Sequence, residues 1–250
     1  DLIRLAMREM GAGRGDVEIR YQSGLRQVRR QLPVSPHSLP WAEVPLRNGG
    51  VYLVTGGLGE LGRAFAARLG KRYHAKMVLS GRRPLDANLR SEIRQIEALG
   101  GSVLYVQADV SKVADCDRLV RAARETFGAI HGVLHAACLV DDGLIFRKPL
   151  PEFQSVLRPK VLGTQALDRA TSTESLDFFM VFSSLVSVLG NPGQCDYGAA
   201  CRYQDAFAVQ RQQWVREGLR HGKSLSVAWS QWERAGHFAS TEMLAQVGER

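Results

Sequence analysis

GVYLVTGGLGELG, residues 50–62, carries a short apolar run into a glycine-rich turn and then into a helix. Val51–Val54 is the run, and Thr55, Gly56, Gly57, Leu58 and Gly59 form the turn. Leu61 and Gly62 open a helical pattern that Ala64, Phe65 and Leu69 continue. Glycines let a backbone turn tightly and approach a diphosphate, and the helix start adds free N–H groups and a positive dipole end. A strand before the glycines and a helix after them favour nucleotide binding over an ordinary strand-to-helix turn.

Outward from this stretch, apolar runs alternate with helical patterns to near the end of the chain. The second strand is expected at Lys76–Ser80, with a helix from about Leu85 to Leu99. A third strand, Val103–Ala108, precedes a helix over Ala114–Thr126, and a fourth, Ile130–Ala136, precedes a helical region after Pro151. The fifth, Phe178–Phe182, leads through a loop to a helix from about Tyr197 to Glu217, and Leu225–Trp229 is the sixth. Near-continuous apolar strands alternating with helices imply a parallel sheet covered on both faces, with any ligand at the carboxyl ends of its strands.

Before residue 50 the pattern differs. Residues 1–10 suit a short helix, and Val17–Tyr21 and Leu25–Arg30 suit two strands joined at Ser23-Gly24. Pro33, Pro36, Pro40 and Pro45 mark a linker. The boundary is therefore placed at 45/46. The first segment is too short to fold alone and reads as part of a neighbouring structural subdomain.

The chain has 250 residues, 45% hydrophobic, with a net charge of +8, enough for one globular core. The positive balance suits a phosphorylated cofactor or an acidic carrier. Nucleic acid fits less well, because the basic residues are scattered; the one dense cluster, Arg26, Arg29 and Arg30, reads as a solvated face. Cys116, Cys138, Cys195 and Cys201 form no CxxC pair and no histidine cluster gives metal spacing, so free thiols in a reducing, cytoplasmic setting and no metal are expected. The longest charge-free stretch, Phe178–Cys195, holds serines, glycines and a proline, and reads as a buried strand and loop, not a membrane span.

The residues at the expected strand ends carry chemistry. Where an NAD-binding unit places an acid, the second strand runs into Ser80-Gly81-Arg82-Arg83. Arginine pairs with a 2′-phosphate, which points to NADPH over two merely exposed arginines. Asp109, before Val110, either meets the adenine amino group or caps the next helix. Ser184 ends the fifth strand and Tyr197 opens the following helix. A phenol can protonate a carbonyl oxygen as hydride reaches its carbon, a serine hydroxyl can hold that oxygen, and an ammonium such as Lys160 can favour the phenolate. Taken singly, each of these three residue types is more often structural or solvated.

In these motifs the chain resembles the short-chain dehydrogenase/reductase superfamily, and within it the ketoreductase domains of modular polyketide synthases. The matching stretches are TGGLGELG, SGRR, ADVS, GVLHAACLVDDGLI, PKVLGT, FFMVFSSLVSVLGNPGQCDYGAA and SVAWSQW. The resemblance implies an α/β, Rossmann-type doubly wound parallel sheet with flanking helices. It implies Tyr197 as proton donor, Ser184 as carbonyl-binding hydroxyl and Lys160 as charged partner. Ala136 and Ala137 join the cofactor-binding set. Most short-chain reductases place the lysine four residues after the tyrosine; here that residue is Cys201, and Lys160 lies in a PKV motif, as in the synthase branch. That branch usually has asparagine where Cys201 stands and glycine where Cys138 stands. Glu60 also takes the place of a frequent turn glycine.

By the same resemblance, Val140-Asp141-Asp142 matches the Leu-Asp-Asp motif of members that make a D-configured hydroxyl. Gln194 stands where the opposite class has tryptophan. From the residues alone, Asp141-Asp142-Gly143 reads as a solvated turn. Residues 230–247 correspond to a lid over the substrate. The implied reaction is NADPH-dependent reduction of a β-ketoacyl group tethered to an acyl carrier protein, inside a multidomain synthase. Two alternatives stay open: a vestigial ketoreductase kept as a scaffold, suggested by Cys138 and Cys201, and a free-standing reductase of small ketones.

Overall fold

The computed structural model describes residues 2–12, 16, 18–30, 32, 35 and 45–230. Val17, the linker residues Pro33, Pro36 and Pro40, and the expected lid beyond Ser230 lie outside the described residues. The chain divides into two compact units between residues 44 and 45.

The smaller unit contains helix α1 (Leu2–Gly11) and strands β1 (Ile19–Gln22) and β2 (Leu25–Val28). The strands pair antiparallel, with Ile19 opposite Val28. Ser23 and Gly24 both have positive φ, 51° and 77°, as a tight two-residue hairpin turn requires. The basic cluster expected to be a solvated face is exposed at Arg29 and Arg30, and it is also ion-paired. Arg26 lies 2.7 Å from Glu9 and 2.8 Å from Asp16, and Arg30 lies 2.8 Å from Asp16. Opposite charges distant in sequence meet here because the hairpin folds back toward α1.

The larger unit alternates strictly. Strands β3 (Val51–Thr55), β4 (Lys76–Gly81), β5 (Ser102–Gln107), β6 (Gly132–His135), β7 (Phe178–Ser184) and β8 (Lys223–Trp229) are joined through helices α2 (Glu60–Tyr73), α3 (Ala87–Glu97), α4 (Val113–Phe127), α5 (Leu150–Ala170), α6 (Val186–Leu189) and α7 (Cys195–Arg216). The strand order is β5-β4-β3-β6-β7-β8, and every pair is parallel. This is the doubly wound arrangement, whose winding reverses between β3 and β6. The loop expected after β7 contains the single-turn helix α6, and a short 3₁₀ turn, Ile145–Arg147, precedes α5.

All five residues of β3 are buried. Within this apolar run the side chains alternate between faces. Leu53 packs with Leu119, Leu167 and Phe207 from α4, α5 and α7. Tyr52 and Val54 pack with Leu69, Leu89 and Ile96 from α2 and α3. Two-sided burial explains why a continuous apolar run, not an alternating one, marks these strands. The register aligns Thr55 with both Ser80 and His135. The polar ends of three strands therefore meet at the switch point, and the site is built there.

Candidate active site

A cleft of about 280 Å³ opens at the carboxyl ends of β3, β4, β5 and β6. Gly56 and Gly59 line it from the glycine turn, Arg82 from beyond β4, Asp109 and Val110 from beyond β5, and Ala136, Ala137 and Cys138 from beyond β6. Ser155, Arg158 and Pro159 of α5 close its far wall.

The glycines fit a cradle for a phosphate. Gly56 has φ +63°, and a Cβ there would sit 2.9 Å from the Ala137 nitrogen and Cα. A Cβ on Gly62 would collide with the Gly56 carbonyl and lie 2.7 Å from Gly57 Cα. The first glycine thus makes the turn and the last lets the helix pack on it. Helix α2 starts at Gly59 with no side-chain cap, so its first N–H groups stay available to an anion. Leu58 and Leu61 turn into the core under the turn.

Four further residues expected to bind the cofactor sort differently. The Ser80 hydroxyl is buried in the cleft wall without a hydrogen-bond partner. An orphaned hydroxyl in the cleft wall fits a ligand oxygen. Arg82 lines the cleft, whereas Arg83 lies 3.6 Å from Glu92 of α3 and is not part of the cleft lining. Asp109 accepts hydrogen bonds from the Ser111 amide (3.0 Å) and hydroxyl (2.7 Å). Burial works to raise its pKa, but those bonds prevail and hold the carboxyl below its ordinary value. The α4 cap is Lys112, so Asp109 does not cap that helix.

His135 connects this cradle to α5. Its Nε2 lies 3.0 Å from the Pro159 carbonyl, an atom that only accepts, so Nε2 carries the proton. Nδ1 then accepts from Thr55 Oγ1 at 2.7 Å, and Thr55 accepts from the Ala137 amide at 3.4 Å. Complete burial, reinforced by the charge of Lys160, pushes the imidazole down to about 3. It is therefore a neutral strut between the glycine turn and α5. The sequence motif HAAC contains it, yet nothing local distinguishes a structural histidine from a solvated one.

Ser184, Tyr197 and Lys160 come together beside the cleft. The Tyr197 hydroxyl is close enough to Ser184 and Cys201 for both to bear on its proton. Lys160 Nζ sits 5.5 Å from the centre of the Tyr197 ring. Burial, then the thiols of Cys201 and Cys138, raise the phenol above its ordinary range, against a smaller opposing pull from Ser184. The phenol thus keeps its proton across the neutral range. Burial also raises the Cys201 thiol, with Lys160 and Tyr197 pulling the other way. Cys201 lies one helical turn beyond Tyr197 and shares its face, as the spacing predicts.

Before α7, Gln194 Nε2 donates to both oxygens of Asp142, at 2.9 and 3.1 Å. The Gly143 amide donates to the Gly193 carbonyl at 2.8 Å. Lys148, whose side chain is 2% exposed, donates to the Asp141 carbonyl and pairs with the buried Asp196 carboxylate. The Asp141–Gly143 segment is therefore pinned to the start of α7, one residue before Tyr197. It is not the free turn that its composition suggests.

Fold and site together define a short-chain dehydrogenase/reductase. A family model described as the KR domain matches residues 50–234. The chain belongs to this family, the ketoreductase domains of polyketide synthases. It is 41% identical over 191 residues to the polyketide synthase PksM of Bacillus subtilis (strain 168), an alignment covering 76% of this chain and 4% of that protein. To the polyketide synthase PksL of the same organism it is 37% identical over 222 residues, covering 88% and 5%. A crystal structure of a ketoreductase domain from the bacillaene assembly line matches with a TM-score of 0.84 and 34% identity, covering 98% of this chain and 59% of that one. An N-terminal ketoreductase from the macrolactin assembly line matches with a TM-score of 0.71 and 40% identity, covering 84% and 40%. The chain spans only a small part of the curated synthases it matches. No helix among the described residues is long and apolar enough to cross a membrane.

Proposed function

We propose that this domain reduces the β-carbonyl of an acyl thioester, presented on the phosphopantetheine arm of an acyl carrier protein, to a D-configured β-hydroxyl. The reductant in this reading is NADPH, which the glycine turn and Arg82 would hold in the cleft and which would supply the hydride. The observation that carries this reading is the convergence of Tyr197, Ser184 and Lys160 beside a glycine cradle whose Ser80 hydroxyl lacks a protein partner.

The protein's own groups have distinct tasks. Ser184 donates to the carbonyl oxygen and orients it toward Tyr197. Tyr197 delivers the proton to that oxygen, and Lys160 stabilises the phenolate left behind. Arg82, facing the cleft, neutralises the 2′-phosphate. The basic net charge helps an acidic carrier approach, and other domains of a synthase deliver and remove the acyl chain. The N-terminal hairpin unit is read as part of a structural subdomain.

The test is NADPH oxidation by the domain on a β-ketoacyl thioester, with the product enantiomers separated. Wild type should turn over and yield mainly the D alcohol. Retained NADPH binding with no turnover would select the scaffold reading instead. Arg82→Ala should raise the KM for NADPH by roughly ten- to a hundredfold, the loss of a charge-assisted hydrogen bond, and leave the KM for NADH nearly unchanged. An equal change for both cofactors would remove Arg82 from phosphate recognition.

Stereocontrol has its own test. Asp142 and Gln194, the two positions that mark the D class by resemblance, hold each other directly. Asp142→Ala is expected to lower the D-to-L ratio by about tenfold, about 1.4 kcal/mol between the two transition states. An unchanged ratio would return Asp142 to the status of a surface turn.

A further inference from the structure

We propose that Gln204 is the residue that positions Lys160 in this chain, supplying the carboxamide that Cys201 does not. The proposal rests on the reductase reading above and adds to it a residue outside the motifs that carry the resemblance.

The geometry is closed. Lys160, Gln204 and Thr164 are 1%, 0% and 0% exposed. Lys160 Nζ donates to Gln204 Oε1 at 3.0 Å and to the Phe182 carbonyl at the end of β7. Gln204 Nε2 donates to Thr164 Oγ1 at 3.1 Å, and Thr164 Oγ1 donates to the backbone carbonyl of Lys160. An ammonium only donates, so the amide oxygen must face it; the amide nitrogen then falls to Thr164. Both ends of Gln204 are used, and its orientation leaves no second solution.

Helix geometry explains why position 204 can do this. Tyr197, Cys201 and Gln204 stand at i, i+4 and i+7, a single face of α7. That face packs on α5, which carries Lys160 and Thr164. Cys201, between the other two, has its thiol beside Tyr197 and accepts the Ser183 hydroxyl at its carbonyl. A thiol is a weak acceptor and cannot hold an ammonium as a carboxamide does. Gln204 reaches the ammonium from one turn further on.

The consequence concerns protonation. Titratable side chains facing Lys160 are Tyr197 and Cys201 from α7 and His135 from β6. None brings a negative charge at neutral pH, so two neutral acceptors, Phe182 O and Gln204 Oε1, aim the ammonium. Removing one of two acceptors from a buried ammonium favours its neutral form.

The experiment compares wild type, Gln204→Leu, Gln204→Leu/Cys201→Asn and Tyr197→Phe. In Gln204→Leu, kcat should fall about 10- to 100-fold with KM values and NADPH affinity unchanged, and the alkaline limb of the kcat profile should move to lower pH. Adding Cys201→Asn should recover most of the lost kcat, because an amide returns to the same ammonium from the neighbouring turn. Wild-type kcat and pH profile in Gln204→Leu would overturn the proposal. So would a kcat loss that tracks lost NADPH binding or a lowered melting temperature, or one that Cys201→Asn does not recover. A second readout needs no turnover. The Lys160 side-chain nitrogen resonance, followed with pH in 15N-labelled protein, should titrate at lower pH in Gln204→Leu than in wild type. That shift would stand even if wild type failed to reduce the thioester, which would sink the reductase reading alone; its absence would sink the role of Gln204.

Discussion

Replacing Tyr197 by phenylalanine is expected to lower kcat on a β-ketoacyl thioester by roughly a thousandfold, the middle of the range for a lost general acid. NADPH affinity should not change, because the phenol lies beside the cleft and not among the residues that line it. Phenylalanine keeps the ring that Lys160 faces at 5.5 Å, so packing around α7 is conserved. What disappears is the O–H beside Ser184 and Cys201. Neither remaining group can replace it. Ser184 has a hydroxyl far too weak an acid to give up its proton, and Lys160 is held away by Phe182 and Gln204. In wild type, burial keeps the phenol protonated, so the rate should hold through neutral pH and decline only under alkaline conditions. Steady-state kinetics with a fluorescence titration of NADPH decides the matter. A kcat within threefold of wild type would mean that another group donates the proton.

The largest expected loss of stability comes from a residue far from the chemistry. Arg211 of α7 has a side chain with no exposed surface. Its guanidinium meets Asp168 at 2.7 Å, Ser224 Oγ at 2.9 Å and the His221 carbonyl at 3.0 Å, and lies 4.6 Å from the centre of the Phe179 ring. One side chain thereby joins α5, α7 and the start of β8 on a core strand. Burial pulls its pKa down, with Asp168 opposing, yet a guanidinium keeps its proton at any physiological pH. Arg211→Met fills the space but strands Ser224, a carbonyl and part of Asp168. Arg220, 3.0 Å from Asp168, retains part of the pairing. The expected cost is about 3 kcal/mol, the lower end for breaking a buried ion pair. Urea unfolding would measure it as a lower midpoint with an unchanged slope. A shift under about 1 kcal/mol would show that Arg220 can carry the site alone.

The two departures at Cys138 and Cys201 bear on the scaffold reading. Cys138 is exposed and lines the cleft near Ala136 and Ala137. Cys201 is buried and keeps contact with Tyr197 instead of leaving a gap. With Gln204 on the ammonium, the tyrosine, serine and lysine remain assembled without asparagine at position 201. The structure therefore offers a physical route to activity despite both substitutions, and the kinetic comparison tests that route.

Much of the architecture was legible in local pattern. Apolar runs of strand length, helical periodicity between them and glycines at a strand end depend on neighbours within a few residues. Those features alone determined the parallel sheet, its two helical layers and the glycine turn that faces the switch point. Resemblance of the motifs added Tyr197, Ser184 and Lys160, which the fold gathers at one place. Other features required the tertiary structure. Arg83 reads as a phosphate partner and Asp142 as part of a solvated turn, but one turns to Glu92 and the other to Gln194. His135, Gln204 and Arg211 are polar residues of types mostly found at the surface, and here all three are buried. Their partners Pro159, Lys160 and Asp168 lie 24, 44 and 43 residues away. Such pairings have no period for a sequence to display. They exist because helices packed on a sheet bring distant side chains into a space without water, where each donor and acceptor must find another.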